Sequence, residues 1–439
     1  MKTIKLGIFG VARGSGCYSI VKALGGEVVA VCEKNESRRN DAIKFWGENL
    51  VAYENFDEFI EHDMDAVYLA NNFNEHTPYA IKCMEKGLPV LSECTAASTL
   101  AEAVELCRAA EKYNALYMFA ENYVYMIFNQ EMRKVYRGGT LGELLYAEGE
   151  YVHPSNLNSP TANDLIKSLR PGEKHWRNNL PRTYYLTHSL GPLMWITGKT
   201  PKKVTAAPVY KPNVSNGIHN GDVAAIMLVT NDDNSVFRVT GHANFSVRED
   251  SYRICGSKGQ IENVRREWNE GNEVILNYNE WDVPDGMKMH NRYTPEYENA
   301  IDKEIAEKSG HGGGDYYVMK EFFRCIREND KPEMDVYFAT TLSAVGILGH
   351  RSILEGKSFD IPDMRDEEQR KLYENDTLTP FWSSDGKSPT LPCCSNPNFK
   401  ARKEVLDRFN EAMTSPWSDG TPWSGAARYI HMGKKLETK

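Results

Sequence analysis

A tyrosine and a histidine alternate in the segment "AEGEYVH", which has the side-chain pattern of a strand. Because side chains two residues apart lie on the same face of a strand, Tyr151 and His153 share a face with Ala147 and Gly149. Small residues beside two polar side chains favour a surface that faces a ligand. The alternative is a buried histidine with satisfied hydrogen bonds beside an ordinary tyrosine.

A second grouping, in "TYYLTHSLGP", places Tyr184 and Tyr185 four and three residues before His188. Residues at these spacings share a face of a helix, so we expect either tyrosine to lie beside the histidine. Imidazole titrates near neutral pH and a phenol can donate or relay a proton, so such a pair can act as a general acid and base. The alternative is again a structural histidine.

The glycine-rich segment "GHGGGDYYVM", Gly310 to Met319, precedes a predicted helix and contains His311 and Asp315. Asp315 has the residue type of a helix N-cap. The glycines favour a loop that lies close to a substrate or cofactor. His311 and Asp315 are too few to hold a metal ion, so no metal site is predicted.

The segment "GIFGVARGSG" ends a predicted strand and begins a helix, which is the context of a loop that holds a pyrophosphate. Counted from Gly10, the positions two and five residues later are Ala12 and Ser15, so the glycine spacing is imperfect. Glu33 ends the next strand, 19 residues after Gly14, and its carboxylate favours NAD over NADP because it repels a 2′-phosphate. Basic side chains at 34, 38 and 39 oppose this preference, and a turn without a ligand is the alternative. The predicted contacts are Gly10, Ala12, Arg13, Gly14 and Glu33.

Two further candidates follow later strands, at the edge where ligands bind to parallel sheets. His76 lies in "NNFNEHTP" after the third strand, and a structural histidine is the alternative. The segment "LPVLSECTAAST" places Cys94 between the fourth strand and a helix. A thiol at a helix N-terminus can have a lowered pKa, although a small apolar filler is the simpler interpretation.

The elements that would position these residues change character near residue 140. The first 120 residues alternate short apolar strands with helices, which predicts a parallel sheet covered on both faces. In the helix of "TPYAIKCMEKG", Thr77 is the predicted cap and Gly87 the predicted stop. From about 140, alternating strands joined by turns predict a mostly antiparallel sheet with helices on one face. The tail after about 360 contains Trp382, Trp417 and Trp423, so we expect it to pack on something.

Composition excludes several functional classes. The 439 residues suffice for two or three domains, and 41% of them are hydrophobic. A net charge of −9 argues against nucleic acid and anionic membrane as partners. No run of about 18 apolar residues is present, and the N-terminus does not have the pattern of a secretory signal. The nine cysteines include no C-x-x-C pair and lie mostly in apolar runs, which favours reduced thiols in the cytoplasm.

Together these segments resemble the glucose–fructose oxidoreductase/inositol dehydrogenase (Gfo/Idh/MocA) family over roughly residues 4–360. The matching segments are the glycine turn, "DAVYLANNFNEH", "GLPVLSE", "GELLYAEG", "ICGSKGQIE" and "GKSFDIP". The resemblance implies an α/β protein: a Rossmann domain at 1–122 that binds NAD, and at 123–362 an α/β domain with a large, mostly antiparallel open sheet. A C-terminal extension at 363–439 would pack on the body or on a neighbouring subunit. A homo-oligomer formed through the second-domain sheet is also implied.

A narrower resemblance is to the NAD-dependent α-N-acetylgalactosaminidases. The usual family lysine, in Glu-Lys-Pro, is replaced here by Cys94, and Tyr184 stands in place of the usual aspartate. The galactosaminidases also lack Glu-Lys-Pro. The segments that carry this resemblance are "AENYVY", "EGEYVH", "YLTHSLGP" and "GHGGGD". Leu186 and Ser189 depart from the pattern of that branch, which has proline and glycine there.

The resemblance implies site residues in three groups. The proton-transfer residues are His188, Tyr185, Tyr151 and His153. The substrate contacts are Glu121, Tyr184, Trp176, Arg177 and His311. The cofactor contacts beyond the glycine turn are Asn71, Asn72, His76, Glu93, Cys94 and Asn122.

Three functions fit this set of residues. The first is hydride transfer between NAD and a sugar carbon, C3, in a redox-neutral cycle that cleaves a glycoside. The second is a simple NAD(P)-dependent sugar or polyol dehydrogenase. The third is a non-catalytic dinucleotide-binding sensor. The first two imply a small-molecule carbohydrate or glycoside as substrate.

Overall fold

The computed structural model describes residues 2–47, 49–154, 173–265 and 272–414. Trp417 and Trp423 of the predicted tail lie outside these residues. The described chain forms one sheet of six strands and one of nine, which confirms the predicted fold class. No helix in these residues has the length and apolar character needed to cross a membrane.

The first sheet consists of six parallel strands. They are β1 Ile4–Phe9, β2 Gly26–Cys32, β3 Val51–Tyr53, β4 Ala66–Leu69, β5 Val90–Ser92 and β6 Tyr117–Phe119. Their order across the sheet is β3-β2-β1-β4-β5-β6, and the central strands are almost fully buried because helices cover both faces. The order reverses between β1 and β4, and ligands of open parallel sheets bind at such a point.

Helices connect these strands. They are α1 Val11–Gly14, α2 Tyr18–Ala23, α3 Glu36–Trp46, α4 Phe56–Phe59, α5 His76–Glu85 and α6 Leu100–Tyr113, with a 3₁₀ turn at Ser15–Cys17. The prediction that Thr77 caps α5 is wrong, because the helix begins one residue earlier and the Thr77 hydroxyl donates to the Ala96 carbonyl oxygen (2.7 Å). Gly87 adopts a φ of +73° just after this helix, as predicted for a stop.

The second sheet follows and is mostly antiparallel. Its strands are β7 Leu144–Val152, β8 Pro201–Tyr210, β9 Asp222–Asn231, β10 Val236–Ala243, β11 Glu249–Gly256, β12 Gly259–Asn263, β13 Val274–Tyr278, β14 His290–Tyr293 and β15 Phe359–Asp360. The order is β14-β13-β12-β11-β7-β10-β9-β8-β15, and only β7 and β10 pair in parallel. That pairing brings the end of β10 beside the end of β7.

Longer helices accompany the second sheet. They are α7 Ile127–Arg137, α8 Thr187–Thr197, α9 Ala300–Lys308, α10 Gly314–Glu328 and α11 Val336–Glu355, with 3₁₀ turns at Asn122–Tyr125, Trp176–Asn179, Glu280–Asp282 and His311–Gly313. Helix α8 lies directly on β7, because a Cβ on Gly149 would be 2.0 Å from the Ser189 carbonyl oxygen. Ala147 is fully buried on the same strand face. These small residues therefore make room for a helix and not for a ligand, which corrects the sequence interpretation.

Residues 363–411 pack against the body of the same chain. This segment contains α12 Glu367–Lys371 and the start of α13 Lys403–Thr414. The imidazole of His350 donates to the Pro392 carbonyl oxygen (2.7 Å), and the Ser395 hydroxyl donates to Asp222 (2.5 Å). Phe381 is buried. The division of the chain at residues 122 and 362 stays a prediction.

Candidate active site

The turn after β1 has the geometry of a pyrophosphate-binding loop. Gly10 adopts a φ of +96°, and a Cβ there would lie 2.3 Å from the Ala70 carbonyl oxygen in the loop after β4. A Cβ on Gly14 would lie 2.3 Å from an Ile8 methyl group, so this glycine permits close packing on β1. The Glu33 carboxylate accepts a hydrogen bond from the Val11 backbone N–H (3.1 Å). The turn and the carboxylate thus lie side by side, as the pyrophosphate and ribose of a dinucleotide require.

Buried polar atoms at the neighbouring strand ends fit the same cofactor. His76 Nδ1 donates to the Thr95 carbonyl oxygen (2.7 Å), which leaves Nε2 as an acceptor. Nε2 of His76 and the side-chain oxygens of Asn71 and Asn122 have no hydrogen-bond partner within the described residues. An unpartnered buried acceptor is costly, so these atoms are suited to donors on a bound molecule. Asn72 is exposed beside them.

A partly buried ion network joins the glycine turn to the start of α10. Arg13 Nε donates to Glu93 Oε1 (2.8 Å), and its Nη2 donates to Asp315 Oδ1 (2.8 Å). The Tyr68 hydroxyl also donates to Glu93 Oε1 (2.5 Å). Burial alone would lower the pKa of Arg13, but the two carboxylates hold it well above its ordinary value. The predicted cofactor residues Arg13 and Glu93 are therefore in direct contact, at the edge of a small cavity.

The prediction that Asp315 caps a helix is wrong. Gly313 precedes α10, and Asp315 is the second residue of that helix. Its carboxylate accepts from Asn122 Nδ2 (2.8 Å) and lies 2.9 Å from His311 Nδ1. Burial alone would raise the pKa of Asp315, but Arg13 and His311 hold it well below its usual range. In the described ranges no three histidine, cysteine, aspartate or glutamate side chains converge as a metal site needs.

Cys94, which the resemblance sets at the position of the usual family lysine, is buried in the segment between β5 and α6. Burial raises the pKa of its thiol, and the nearby carboxylates of Glu93 and Glu121 raise it further. The thiol is therefore protonated near neutral pH and cannot replace an ionisable lysine. Proton transfer at this site must come from other side chains.

His188 is held in place by Glu121. Its Nδ1 lies 2.7 Å from Glu121 Oε1, and that oxygen also accepts from the Tyr123 backbone N–H (3.1 Å). The Tyr123 ring stacks on the imidazole with centroids 4.1 Å apart, and the Tyr252 hydroxyl donates to the His188 carbonyl oxygen (2.5 Å). Because the carboxylate accepts a hydrogen bond from Nδ1–H, Nε2 is the ring nitrogen that can take a further proton. Glu121 itself is fully buried, so the structure places it behind His188, and its contact with substrate stays a prediction.

Tyr151 and His153 share the strand face that the alternation predicts, and their rings stack with centroids 4.2 Å apart. Burial raises the pKa of Tyr151 well above its ordinary value, against the opposing effect of Arg177 and Arg248. Burial and Arg248 lower the pKa of His153. Near neutral pH, Tyr151 is therefore a phenol and His153 a neutral imidazole. The Tyr151 ring lies 4.8 Å from that of His188, so the two predicted proton-transfer groups meet.

Tyr184 and Tyr185 do not share a helix face with His188, because α8 begins only at Thr187. This corrects the prediction from their spacing. Tyr185 still contacts His188 edge to face, with centroids 5.3 Å apart. Tyr184 is buried elsewhere, with its ring 5.3 Å from that of Phe381. The structure thus brings one of the two tyrosines to the histidine.

An aromatic stack links the six-stranded sheet to the segment just before α8. Phe73, from the loop after β4, stacks on Trp176 at 4.9 Å and on Tyr185 at 5.4 Å. The Arg177 guanidinium lies 4.4 Å above the Trp176 ring. The predicted substrate residues Trp176 and Arg177 are therefore neighbours of Tyr185, whereas Phe73 was missed in the sequence.

His242 was also missed. Its ring lies 5.7 Å from that of Tyr151 and 5.9 Å from that of Tyr185. The segment "SVFRVTGHANFS" predicts a strand, but nothing in it predicts the parallel pairing of Ala243 with Val152 that places His242 at the site. Non-local strand pairing is the information that the local pattern does not contain.

Comparison with protein families matches two successive parts of the chain. Residues 4–121 match the oxidoreductase family with an NAD-binding Rossmann fold. Residues 197–369 match the C-terminal domain of glycosyl hydrolase 109. The first match contains the glycine turn and Glu121, and the second contains His242 and the loop at His311.

Curated relatives are similar along most of the chain. A glycosyl hydrolase family 109 protein of Shewanella pealeana is 24% identical over 398 residues, which cover 83% of this chain and 86% of the relative. An alpha-N-acetylgalactosaminidase of Shewanella oneidensis is 24% identical over 404 residues, which cover 83% and 85%.

Solved structures share the fold. Levoglucosan dehydrogenase in complex with NADH and levoglucosan has a TM-score of 0.69 and 17% identity, over 82% of this chain and 100% of that structure. An aldose–aldose oxidoreductase from Caulobacter crescentus, complexed with glycerol, has a TM-score of 0.66 and 16% identity over the same shares. The chain therefore contains an NAD-binding Rossmann domain of the Gfo/Idh/MocA oxidoreductase family, followed by a C-terminal domain of the glycosyl hydrolase 109 type.

Proposed function

We propose that the protein cleaves a glycoside in a redox-neutral, NAD-dependent cycle. The observation that carries this proposal is the His188–Glu121 pair beside Tyr151 and Tyr185. Such a cluster can move two protons without the family lysine, whose place is taken by the protonated thiol of Cys94. The relatives named as glycosyl hydrolases and as an alpha-N-acetylgalactosaminidase support the same reaction class.

The chemistry that NAD supplies when bound is reversible hydride transfer with a sugar carbon, here C3. The residues that would hold it are Gly10, Ala12, Arg13, Gly14, Glu33, Asn71, Asn72, His76, Glu93, Cys94 and Asn122. Glu33 would accept hydrogen bonds from the adenosine ribose hydroxyls and would repel a 2′-phosphate, which favours NAD over NADP. The unpartnered acceptors of His76, Asn71 and Asn122 would meet donors of the cofactor.

His188 would take the proton of the C3 hydroxyl on Nε2, because Glu121 occupies its Nδ1 side. The C3 ketone makes the C2 proton acidic. Removal of that proton leaves its electron pair to form the C1=C2 bond, while the C1–O bond breaks and the departing oxygen takes a proton. Water then adds across C1=C2. The C3 carbonyl carbon takes back the hydride and the C3 oxygen takes back its proton from His188, so that the net reaction is hydrolysis.

Tyr151, supported by His153, would carry out the second proton transfer. Burial keeps Tyr151 in its phenol form, and Arg177 and Arg248 favour the phenolate when the proton leaves. The stack of Phe73, Trp176 and Tyr185 would lie against the sugar, together with Arg177 and His311. This scheme needs no pair of carboxylates across the glycosidic bond, unlike the usual glycosidases.

A panel of aryl glycosides and free sugars tests the proposal when aglycone release and NADH absorbance are followed together. The proposal expects aglycone release without net NADH. NADH without release would show a sugar dehydrogenase instead. Neither signal, with NAD tightly bound, would show a dinucleotide sensor.

The open face of the second sheet supports a proposal of homo-oligomers. Leu228 of β9 is 51% exposed, and it faces away from Met227, which is fully buried. Arg238 of β10 pairs with Glu148 of β7 (3.3 Å), which leaves this face flat and mixed in charge. Light scattering after size exclusion should show an oligomer that Leu228→Glu dissociates. An unchanged molar mass would contradict this interface.

We propose the cytoplasm as the location of the protein. All nine cysteines are free thiols, and eight of them are buried. This usage is typical of a reducing compartment. Cell fractionation tests the assignment, and recovery in an oxidising compartment would contradict it.

A further inference from the structure

Arg182 fixes the tautomer of His242. Arg182 Nη1 lies 3.0 Å from His242 Nδ1, and a guanidinium can only donate. Nδ1 of His242 is therefore an acceptor without a proton, and the proton of the neutral ring is on Nε2. The main chains are also joined, because the His242 backbone N–H donates to the Arg182 carbonyl oxygen (3.1 Å).

Close backbone packing and a further hydrogen bond hold Arg182 against His242. A Cβ on Gly241 would lie 2.3 Å from the Arg182 carbonyl oxygen, so the strand and the loop approach closely. Arg182 Nε donates to the Asp222 carbonyl oxygen (2.8 Å). The Asp222 carboxylate accepts instead from the backbone and hydroxyl of Ser395. No carboxylate oxygen hydrogen-bonds to the Arg182 guanidinium among the described residues, so its contacts there are the Asp222 carbonyl oxygen and His242.

The Nε2–H of His242 donates to no group among the described residues, and its ring is partly exposed between Tyr151 and Tyr185. The neighbouring charged and titratable groups are Arg182, Arg177, His188, His153, Tyr151 and Tyr185. Burial and the guanidinium groups of Arg182 and Arg177 lower the pKa of His242. The ring therefore stays neutral near neutral pH, with an N–H available to a ligand.

We propose that His242 donates its Nε2–H to the substrate oxygen that becomes negative during the reaction, and that Arg182 locks it in the tautomer able to do so. This role rests on the proposed function. When the C2 proton is removed, the electron pair of the C2–H bond forms an enolate whose charge lies on the C3 oxygen. The pair then forms C1=C2 as the C1–O bond breaks. A neutral imidazole N–H is a suitable donor to such an oxygen, since it polarises the carbonyl without giving up its proton.

Nitrogen-15 NMR of the histidine rings tests the tautomer in the full-length protein loaded with NAD. The His242 signals are assigned by their loss in His242→Gln. We expect an unprotonated Nδ1, a protonated Nε2 and no titration between about pH 5 and 8, because the ordinary histidine pKa of about 6.5 is lowered here. A protonated Nδ1, or titration in that range, would overturn the proposal.

Kinetics test the contact with substrate. His242→Phe keeps a ring but removes the donor, and we expect kcat to fall about 100-fold with KM little changed. His242→Gln retains an N–H and should recover part of the loss. With a C2-deuterated substrate, His242→Phe should also raise the isotope effect on kcat, which a purely structural role would not do. A kcat of His242→Phe within about threefold of wild type, below the loss of one such donor, would overturn the proposal.

Variants of Arg182 test whether this residue fixes the tautomer of His242 or only supports the fold. Arg182→Met should add an ionisation to the pH profile of kcat, and the double variant with His242→Phe should lack it. Arg182→Lys keeps a cationic donor and should show no added ionisation. An added ionisation that persists in the double variant would contradict the claim that Arg182 fixes the tautomer of His242. Wild-type protein inactive on every glycoside would overturn the proposed function as well, whereas an active wild type with an equally active His242→Phe would overturn only the role of His242.

Discussion

The two halves of the site hold their functional groups in opposite ways. At the edge of the first sheet that carries the glycine turn, here called the cofactor edge, the partly exposed Arg13 binds the carboxylates of Glu93 and Asp315 at 2.8 Å each. In the histidine–tyrosine cluster, burial drives Tyr151 and His153 towards their neutral forms. One half is fixed by ion pairs, whereas in the other half burial keeps Tyr151 and His153 uncharged beside the His188–Glu121 pair.

This difference follows from what each half has to do. A cofactor loop must keep its position in every step, and a hydrogen-bonded ion network whose carboxylate resists protonation provides that. Proton transfer requires groups that can gain or lose a proton, and desolvation determines the protonation state in which each group begins the reaction. We therefore expect variants of the cluster to affect turnover, and variants of the cofactor edge to affect binding or stability.

The largest expected effect is at His188. His188→Ala should lower turnover by at least about 100-fold, because a positioned acid–base group contributes about 10²–10⁴-fold. NAD affinity should stay unchanged, since His188 lies on α8, outside the six-stranded sheet and its glycine turn. An activity assay measures the loss of turnover, and a fluorescence titration with NAD measures the affinity for the cofactor.

Glu121→Gln serves as the matched control for His188. The amide keeps the shape of the side chain but removes the charge next to Nδ1 (2.7 Å), so turnover should fall less than in His188→Ala. A His188→Ala variant that retains more than half of its activity would remove His188 from the mechanism.

The second effect tests the cofactor edge. Glu33→Ala should weaken NAD binding about tenfold, which corresponds to about 1.4 kcal/mol for the lost ribose hydrogen bonds. Saturating NAD should restore turnover almost fully. Calorimetric titration measures the affinity, and NADP is the matched ligand, whose binding should weaken less. Equal NAD affinity in variant and wild type would mean that Glu33 does not contact the cofactor.

The third effect is on stability and depends on pH. Asp315→Asn should lower the free energy of unfolding by about 1–3 kcal/mol at pH 7, because Arg13 loses one of two buried carboxylates. The pKa of Asp315 is lowered in the folded protein, so its contribution is present above its unfolded pKa of about 3.9 and is lost as the pH falls through the folded pKa. Urea unfolding of both proteins should therefore differ most at neutral pH and converge in acid. A difference that grows on acidification would contradict the ion network.

The smallest effect is at Cys94. Burial raises the pKa of its thiol, so iodoacetamide near pH 8 should leave Cys94 unmodified in the folded protein and alkylate it after unfolding in urea. Peptide mass spectrometry distinguishes the nine cysteines. Rapid alkylation of Cys94 in the folded protein would place a reactive thiolate at the former lysine position.

The sequence predicts local features of this site better than contacts between distant segments. The glycine turn and the shared strand face of Tyr151 and His153 follow from patterns within a few residues, and Glu33 follows from its place at the end of the next strand. The role of Asp315 could not be predicted in this way. Its helix-start position suggested a cap, but Arg13, 302 residues away, determines what the carboxylate binds.

The same limit explains the errors at β7 and α8. Gly149 and Ala147 suggested a ligand-facing surface, and only the packing of α8 shows that they accommodate a helix. Tyr184 and Tyr185 have helical spacing to His188, but the helix begins after them, and the C-terminal segment draws Tyr184 towards Phe381. Tertiary packing decided both outcomes.

The most direct test of the account is deuterium incorporation during cleavage of a glycoside in D₂O. Removal of the C2 proton and its replacement from solvent predict one deuterium at C2 of the released sugar, with no net NADH. Sugar released without deuterium at C2 would contradict the redox-neutral cycle, and so would NADH formed in step with the product.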